Sequence, residues 1–476
     1  MSSEVKDTAS VSAWRIESGA QIPDGPTALD ILACDKQPLP SLLDNPGDIH
    51  PAPRLIPFDR YIEDRYIDLE VKYLWRKFWQ VACRVEDIPS IGDYINYDIV
   101  DDSYLIVRSG ANKFSAFHNV CRHRGRKLCT SKSHGEALRC PYHGWTYDFQ
   151  GALRWVPYQQ DFPHLDPVYQ GLVPVQVSVW GGNVFINPDP DAAPLAQAGA
   201  PMIAHYENYP QDQRYTASRI LVEIESNWKA AQEAFMEGYH VLETHTDGLP
   251  IYASVATRID NWSDGLGLVS RLFTPAVAPD TWVKDRVTAR ECLIMYCTAM
   301  RLALPPEDRG NDLGDARRYA AEMLRKRVES SSGRDFSGHP SSYFIDQGRY
   351  TMFPNFHPFW GEASPRWHKF MPLGRNPDAC QMEIRTLLPI PPSGEYPLDP
   401  PTYHVPLGGR VYDTFPDLGQ AARLVDQDLT NLAAVQRGLH AAPASTAYMT
   451  LSDYHESMIR RFHEIYDAAL GLDVTN

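Results

Sequence analysis

Residues 120–148 read VCRHRGRKLCTSKSHGEALRCPYHGWTYD and contain two closely spaced Cys/His pairs. One residue separates Cys121 from His123, two residues separate Cys140 from His143, and sixteen residues lie between the pairs. Two thiolates and two imidazoles suit a single tetrahedral zinc ion. They also suit a [2Fe–2S] cluster that carries both thiolates on one iron and both imidazoles on the other. Spacing alone leaves both metals open, so the surrounding residues have to decide.

The sequence around these pairs is rich in short apolar runs that are separated by turn residues, from Trp79 to about Pro188. Runs such as WQVAC, YINYDIV and SYLIVRS have the composition of strands. Residues 79–188 are therefore predicted to form a compact all-β unit.

The sequence on either side of this unit changes character. Residues 1–55 are rich in Pro, Asp and Ser and are predicted to be a loosely packed N-terminal extension. A Pro- and Ala-rich linker at 188–201 ends the β unit. Hydrophobic periodicity elsewhere predicts strands near 214–225, 268–274, 291–300, 349–353 and 381–390, and helices over 59–78, 227–242, 313–328, 415–438 and 451–470.

The composition argues against several classes of protein. A net charge of −15 over 476 residues argues against nucleic-acid binding, which needs a basic surface. Eight irregularly spaced cysteines do not follow the pattern of a secreted disulfide framework. The N-terminal residues lack the apolar stretch of a signal peptide, and no apolar run reaches the roughly 18 residues of a membrane helix. These features predict a soluble protein in a reducing cytoplasm.

The residues around the two pairs favour the cluster. The pattern C-x-H-R-G followed by C-P-Y-H-G-W resembles the signature of Rieske domains. Respiratory Rieske proteins carry a disulfide at the positions that Arg126 and Tyr142 occupy here, so the motif resembles the oxygenase branch of the family. The resemblance implies a [2Fe–2S] cluster, with Cys121, His123, Cys140 and His143 as its ligands.

A second stretch, NWKAAQEAFMEGYHVLETH at 227–245, resembles the catalytic iron helix of Rieske oxygenases. His240 and His245 match the family's two iron-binding histidines, and the third ligand of such a facial triad is a carboxylate. A spacing of five residues is about 140° round a regular helix, so both imidazoles cannot share one face. The helix is therefore expected to widen or end near Glu243.

The carboxylate is predicted from the stretch 421–439, which offers Asp426 and Asp428. Asp428 lies on the apolar stripe of this predicted helix with Leu424 and Leu432, whereas Asp426 shares a face that reads as solvated. A carboxylate on a buried face is costly unless it is paired or binds metal. Asp428 is therefore the predicted iron ligand.

Glu237 lies one turn before His240, so the two side chains are predicted neighbours. In the family, an acid at this position bridges the Rieske centre of one subunit to the catalytic iron of the next. Most ring dihydroxylases of the family have Asp there, whereas some amine-oxidising monooxygenases of the family have Glu, so Glu237 leaves the reaction subtype open. The alternative is that Glu237 is an ordinary helix acid.

The resemblance implies an α+β protein, in which an all-β Rieske domain (79–188) is inserted in a helix-grip catalytic domain (56–78 and 200–476). It also implies a head-to-tail homotrimer, with or without a beta subunit, that receives electrons from a separate NAD(P)H-dependent reductase and in some systems a ferredoxin. The predicted activity is O₂-dependent mono- or cis-dihydroxylation of an apolar aromatic or polycyclic molecule. The alternatives are a monooxygenase or demethylase acting on an amine or methoxy substrate, and a Rieske electron carrier without catalysis.

Two further features have two interpretations each. Aromatic residues in 350–360, with Met236 and 291–300, either line the substrate cavity or belong to the core. The basic residues near the cluster either dock an acidic electron donor or form internal salt bridges; they are Arg122, Arg124, Arg126, Lys127 and Arg139.

Overall fold

The structure is a computed structural model that describes residues 25–166 and 169–472. It has the α+β architecture expected, with an all-β unit ahead of a mixed sheet-and-helix unit. The segment before the β unit returns to the catalytic unit, because strand β1 (Leu55–Pro57) pairs with β20 (Tyr448–Thr450) near the far end of the chain. Within the described residues, no helix is long and apolar enough to cross a membrane.

The described part of the N-terminal extension, residues 25–55, is not loosely packed as predicted. Ile31, Leu32 and Leu42 are buried there, and Asp35 forms a buried ion pair with Arg317 of the catalytic unit at 2.8 Å. Polar composition hid these few apolar anchors. Residues 1–24 lie outside the described residues.

The β unit contains a seven-stranded sheet and a small three-stranded sheet that carries the second Cys/His loop. The first sheet has the strand order β2-β11-β10-β5-β4-β3-β6, and the second has the order β7-β8-β9. Their strands are β2 (Gln80–Arg84), β3 (Asp93–Ile99), β4 (Asp102–Gly110), β5 (Lys113–His118), β6 (Ser133–His134), β7 (Leu138–Arg139), β8 (Thr146–Tyr147), β9 (Leu153–Trp155), β10 (Pro174–Trp180) and β11 (Asn183–Asn187).

The catalytic unit is built on an eight-stranded sheet in the order β13-β14-β15-β16-β17-β18-β12-β19. All neighbours are antiparallel except β12 and β19, which run parallel. The strands are β12 (Arg214–Ile224), β13 (Arg258–Asn261), β14 (Val269–Thr274), β15 (Gln347–Met352), β16 (Phe356–Trp360), β17 (Arg366–Leu373), β18 (Asn376–Pro389) and β19 (Thr402–Val405).

Helices cover this sheet and bring the candidate site together. They are α1 (Ala28–Ala33), α2 (Asp59–Ile62), α3 (Arg65–Glu70), α4 (Leu195–Ala198), α5 (Met202–His205), α6 (Trp228–Glu233), α7 (Val241–Thr244), α8 (Ala289–Ala299), α9 (Leu313–Ser332), α10 (Ser341–Ile345), α11 (Val411–Thr414), α12 (Gln420–Ala441) and α13 (Ser457–Leu470). Helix α3 continues as a π-helical turn over Val71–Trp75.

The strand predicted near 291–300 is wrong, because these residues form helix α8. The Thr288 side chain accepts a hydrogen bond from the Glu291 N–H, and the Glu291 carboxylate accepts one from the Thr288 N–H. This capping box is a helix-start signal that can be read from sequence. The buried positions Cys292, Leu293 and Tyr296 also follow a helical spacing.

A buried polar network ties α3, α6 and α13 together. The Glu70 carboxylate receives hydrogen bonds from Lys229 Nζ at 2.5 Å, Trp228 Nε1 at 2.8 Å and Tyr466 Oη at 2.8 Å. Lys229 and Glu70 are both almost fully buried. Removing one partner leaves the other charge buried and unpaired, so a single substitution in such a pair is strongly destabilising.

We expect Lys229→Met to lower the free energy of unfolding by about 3–5 kcal/mol, because it leaves Glu70 without its cation. Urea denaturation followed by tryptophan fluorescence measures this loss. The matched control is Arg54→Met, which breaks an ion pair with Asp453 whose side chains are 64% and 67% exposed. That change is expected to have little effect on stability, because water and salt screen exposed ion pairs. Equal losses in the two variants would contradict the prediction.

Candidate metal centres and catalytic cavity

The two Cys/His loops have the same backbone geometry. Gly125 N–H donates to the Cys121 carbonyl at 3.0 Å, and Gly144 N–H donates to the Cys140 carbonyl at 3.0 Å. Both glycines have positive φ, of 75° and 78°, which a residue without a Cβ adopts at little cost. Cys121 N–H and Cys140 N–H each close their loop onto a carbonyl five residues ahead. The repeated turn presents one cysteine and one histidine from each loop to the same place.

The four side chains form a thiol pair and an imidazole pair. The Cys121 and Cys140 thiols lie within hydrogen-bonding reach of each other, and the His123 and His143 rings lie 4.6 Å apart between centroids. His123 stacks on Trp145 at 5.0 Å, yet its Nδ1 is buried without a hydrogen-bond partner. An orphaned buried nitrogen is costly unless it binds something, so it fits a metal ligand.

This arrangement favours the two-iron cluster over zinc. A tetrahedral ion needs all four donors around one point. In the described part of the chain, these four residues do not form a set of three or more donors that converge on one point, although such convergence occurs at a second site. Separate thiol and imidazole pairs are what a Rieske cluster requires.

The second site is built where the predicted helix 227–242 breaks. Helix α6 ends at Glu233, and a separate four-residue helix, α7, starts after His240 and ends before His245. Prediction of one helix to residue 242 was therefore wrong over the segment between α6 and α7. His240 and His245 lie at the two ends of a single helical turn, so both imidazoles can face the same point although their spacing does not allow this on a regular helix.

Three donors meet at this break. His245 Nε2 lies 2.9 Å from Asp428 Oδ1, and His240 Nε2 lies 3.6 Å from the same oxygen. The ligand atoms of His240, His245 and Asp428 all lie within 4.8 Å of one another, the one such set among the described residues. Two imidazoles and one carboxylate fit the donor set of a mononuclear iron site.

The outer nitrogens of both histidines are held by other side chains. Glu237 accepts a hydrogen bond from His240 Nδ1 and from the N–H groups of Tyr239 and His240. Gln427 Oε1 lies 2.7 Å from His245 Nδ1. Such bonds orient metal-binding rings and point Nε2 inward. Sequence analysis missed Gln427, because a contact made 182 residues away leaves no local signal.

The electrostatics of this site favour a positive charge. Burial alone lowers the pKa of His240, but the hydrogen bond and charge of Glu237 and the charge of Asp428 outweigh it and raise the pKa. The buried carboxylates of Glu237 and Asp428 therefore lie on opposite sides of the His240 ring, at Nδ1 and Nε2. A bound metal cation supplies the charge that they attract.

Asp426 is not solvated as predicted. Its carboxylate is buried and accepts the Val411 N–H at 2.6 Å and the Tyr412 N–H at 3.2 Å. It therefore anchors α11 to α12 and does not reach the histidines. Asp426 is buried because the first residues of α11 cover its face of α12, which the periodicity of α12 alone does not show.

A cavity of about 160 Å³ opens beside the three donors. Its walls include the aromatic residues Phe235, Tyr252 and Phe359, and the polar residues Arg349, Arg366 and His368. The other predicted lining residues belong to the core: Met236, Phe353, Phe356 and Trp360 are at most 3% exposed, and 291–300 lies outside the lining. The cavity lining is mainly apolar, as predicted, but it also carries charged side chains.

The basic residues near the cluster remain mostly outside salt bridges. Lys127 pairs with Asp98 at 3.1 Å, and Arg124 and Arg139 lie over the rings of Tyr142 and Trp155. All five basic residues are exposed. Among the described residues, Lys127 is thus the one member of these five that forms an internal ion pair.

Comparison with known proteins identifies the class. Residues 78–179 match the Rieske [2Fe–2S] domain, and residues 206–472 match the ring hydroxylating alpha subunit catalytic domain. The chain therefore belongs to the family of ring-hydroxylating oxygenase alpha subunits.

Individual relatives cover part of the chain. The glycine betaine monooxygenase oxygenase subunit of Pseudomonas aeruginosa is 31% identical over 195 residues, which is 40% of this chain and 45% of that protein. Chloroplastic choline monooxygenase of Spinacia oleracea is 30% identical over 206 residues, 42% of this chain and 46% of that protein. The chain thus spans slightly less than half the length of these relatives.

Solved structures match over more of the fold. One is a quaternary ammonium Rieske monooxygenase whose structure was used to study carnitine oxidation by gut microbiota and inter-subunit electron transfer. Its TM-score is 0.60 at 16% identity, and the match covers 88% of this chain and 96% of that chain. Naphthalene 1,2-dioxygenase with bound indole has a TM-score of 0.62 at 16% identity, with coverage of 89% and 94%. The fold is thus shared by structures with amine and aromatic ligands.

We expect Gln427→Leu to weaken iron binding at the histidine site about tenfold, because His245 Nδ1 loses its acceptor. Iron content after dialysis against graded chelator measures the change, and the Rieske absorption serves as an internal standard. Asn431→Leu is the control, since Asn431 lies one turn further along α12 and bonds only Thr244 at 2.8 Å. Unchanged iron retention in Gln427→Leu would show that the bond does not orient His245.

Proposed function

We propose that this protein is a Rieske monooxygenase that hydroxylates an N-methyl group of an amine, with His240, His245 and Asp428 holding the catalytic iron. The observation that carries the proposal is the convergence of these three donors on the wall of a cavity. A Rieske electron carrier has no use for such a triad. The amine reading is supported by the glycine betaine and choline monooxygenases among the relatives.

The cavity supports the amine alternative better than the aromatic hydrocarbon first expected. Phe235, Tyr252 and Phe359 offer ring faces of the kind that bind quaternary ammonium groups. Arg366, which has no ion pair among the described residues, makes the cavity a poor match for a hydrocarbon, which has no polar group to pair with it.

The reaction balances as a monooxygenation. The substrate methyl group, O₂, two electrons and two protons give a hydroxymethyl group and water. The hydroxymethyl ammonium then releases formaldehyde and a proton and leaves the demethylated amine. When bound, the mononuclear iron supplies O₂ activation and the Rieske cluster supplies electrons.

The side chains of this chain set the geometry for that chemistry. His240, His245 and Asp428 would hold the iron from one side of the cavity, while Glu237 and Gln427 fix the two rings. The aromatic walls exclude water and place the substrate methyl group near the donors. We assign Cys121, His123, Cys140 and His143 to the cluster.

Electrons would come from outside the chain. We propose a separate NAD(P)H-dependent reductase, with or without a ferredoxin, that docks on the unpaired basic residues near the cluster loops. We also propose a homotrimer in which Glu237 carries electrons from a neighbour's His143 to His240. The His240 half of this route is present as the hydrogen bond to Glu237.

The test is product analysis with ¹⁸O₂. The reconstituted enzyme, a reductase and NADH are incubated with glycine betaine, choline and naphthalene in parallel. Formaldehyde and a demethylated amine, in a stoichiometric ratio to NADH consumed, are the expected products. A labelled cis-diol from naphthalene without amine turnover would replace the proposal by the aromatic alternative. An iron content of about two per chain instead of about three would favour the electron carrier.

A further inference from the structure

We propose that Arg366 and His368 form a carboxylate-binding site in the catalytic cavity, so that the substrate carries an anionic group as well as the position that is oxidised. The inference rests on the proposed function for the amine part of the substrate. It adds the substrate's second group and the residues that select for it.

The two residues face the cavity from one strand. Arg366 and His368 are two residues apart on β17, so their side chains leave the same face of the sheet about 7 Å apart. Both line the cavity, whereas Trp367 between them is buried in the core. The strand thus presents a guanidinium and an imidazole side by side.

Arg366 is half-buried and differs from the fully buried arginines of the catalytic unit. Each of those has a carboxylate partner: Arg60 with Asp467, Arg214 with Glu362, Arg271 with Asp260, Arg317 with Asp35 and Asp346, Arg385 with Asp87 and Glu383, and Arg460 with Asp453. In the described residues Arg366 has no ion pair, and its recorded side-chain hydrogen bond is to Ser364 Oγ at 3.5 Å. A guanidinium that is half-buried in a mainly apolar cavity without a counter-ion is costly, and a ligand that supplies the anion lowers this cost.

The second arginine of the cavity, Arg349, has no ion pair within the described residues, but it has carboxylates in its surroundings and a hydrogen bond to the Glu237 carbonyl at 3.4 Å. Arg349 lies close enough to Glu237 and Asp428 for both carboxylates to act on its charge. Burial is the main cause that lowers the pKa of Arg366, and no carboxylate is among the causes that oppose it. The positive charge without a counter-charge is therefore the one on β17.

His368 supplies an independent indication of a ligand. It is 3% exposed, and neither of its ring nitrogens has a hydrogen-bond partner in the structure. Burial and the charge of Arg366 hold its pKa well below the usual value, so the ring is neutral and carries one N–H donor. A carboxylate can accept the guanidinium fork with one edge and the imidazole N–H with a remaining lone pair.

The consequence is selection among amines. A zwitterion such as glycine betaine places its carboxylate at Arg366 and its ammonium against the aromatic walls. Choline has the same ammonium with a neutral hydroxyl, so it brings a second cation into the cavity without an anion. The cavity should therefore reject choline.

The experiment compares two acid and alcohol pairs on the oxidised holoenzyme by isothermal titration calorimetry. The pairs are glycine betaine with choline, and benzoate with benzyl alcohol. We expect each acid to bind at least tenfold more tightly than its alcohol. Arg366→Gln should abolish that preference, and Arg366→Lys should restore part of it.

The outcomes separate the inference from the proposed function. Preference for benzoate with no binding or turnover of either amine overturns the amine function and supports the carboxylate site. Equal binding of glycine betaine and choline, unchanged by Arg366→Gln, overturns the carboxylate site and leaves the amine function standing. Absence of acid preference in both pairs, including no detectable binding of either acid, also overturns the carboxylate site.

Thermal stability gives a readout that needs no ligand. Because Arg366 has no carboxylate partner, Arg366→Gln is expected to leave the melting temperature of the empty enzyme unchanged or raise it. Arg385→Gln removes the ion-pair partner of Asp87, while Glu383 keeps Arg219 and Lys369, and it is expected to lower the melting temperature by several degrees. A loss in Arg366→Gln as large as in Arg385→Gln would mean that Arg366 has a structural partner and that the carboxylate site is wrong.

Discussion

Asp428→Ala is expected to lose the mononuclear iron and all product formation while it keeps the Rieske cluster. Asp428 Oδ1 is the oxygen that both His240 Nε2 and His245 Nε2 approach, so its removal opens the donor set to two imidazoles. Metal analysis should fall from about three irons per chain to about two. The reduced-state Rieske paramagnetic signal should keep its wild-type g-values.

The control for this change is Asp426→Ala, two residues earlier on the same helix. Asp426 holds the backbone N–H groups of Val411 and Tyr412, and its loss leaves buried donors without an acceptor. We expect this variant to keep all its iron and to lose about 1–3 kcal/mol of stability. The opposite pattern, with iron lost from Asp426→Ala and kept by Asp428→Ala, would overturn the assignment of the carboxylate.

The contrast between these two aspartates shows how far sequence reasoning reached. The helical stripe of 421–439 selected Asp428, and the structure places it with the two histidines. The same stripe labelled Asp426 as solvated, because periodicity describes one helix and not the segment that packs on it. Whether another segment covers a polar face of a helix can be seen only in the three-dimensional structure.

The break between α6 and α7 was invisible for a related reason. Residues 234–240 have the composition of a helix, but the Glu237 carboxylate accepts the N–H groups of Tyr239 and His240 that a continuous helix would bond to carbonyls. Side chains that compete with the backbone for its own donors end helices locally. The need for a break could be inferred from the His240–His245 spacing, and its position could not.

The cavity was the least predictable part of the molecule. Arg349, Phe359 and Arg366 come from three neighbouring strands, and pairs such as Arg349 with Phe359 depend on sheet register. Register is fixed by packing of the whole sheet, so aromatic content alone pointed to Phe353, Phe356 and Trp360, which are core residues. Short motifs with metal chemistry, by contrast, carry their geometry in a few residues.

Glu237→Gln is expected to keep both metal centres and to stop electron delivery to the catalytic iron. Glu237 is 7% exposed, and its carboxylate accepts three hydrogen bonds, from His240 Nδ1 and the N–H groups of Tyr239 and His240. Glutamine keeps the length but replaces one acceptor oxygen with a donor and removes the charge. It can hold His240 or a neighbour's imidazole, and not both, so the proposed bridge between subunits is broken.

The measurement is a single turnover. Wild type and variant are reduced chemically, freed of reductant and mixed with substrate and O₂, while the Rieske absorption is followed. Wild type should reoxidise and form product, and Glu237→Gln should stay reduced over the same period. The matched control is Glu243→Gln, an exposed acid two residues before His245, which should behave as wild type. Reoxidation of Glu237→Gln at the wild-type rate with full product yield would make Glu237 a bystander. Loss of iron from it would instead show that its bond to His240 holds the metal site together, and Glu237 would then be assigned to the iron site and not to an electron bridge.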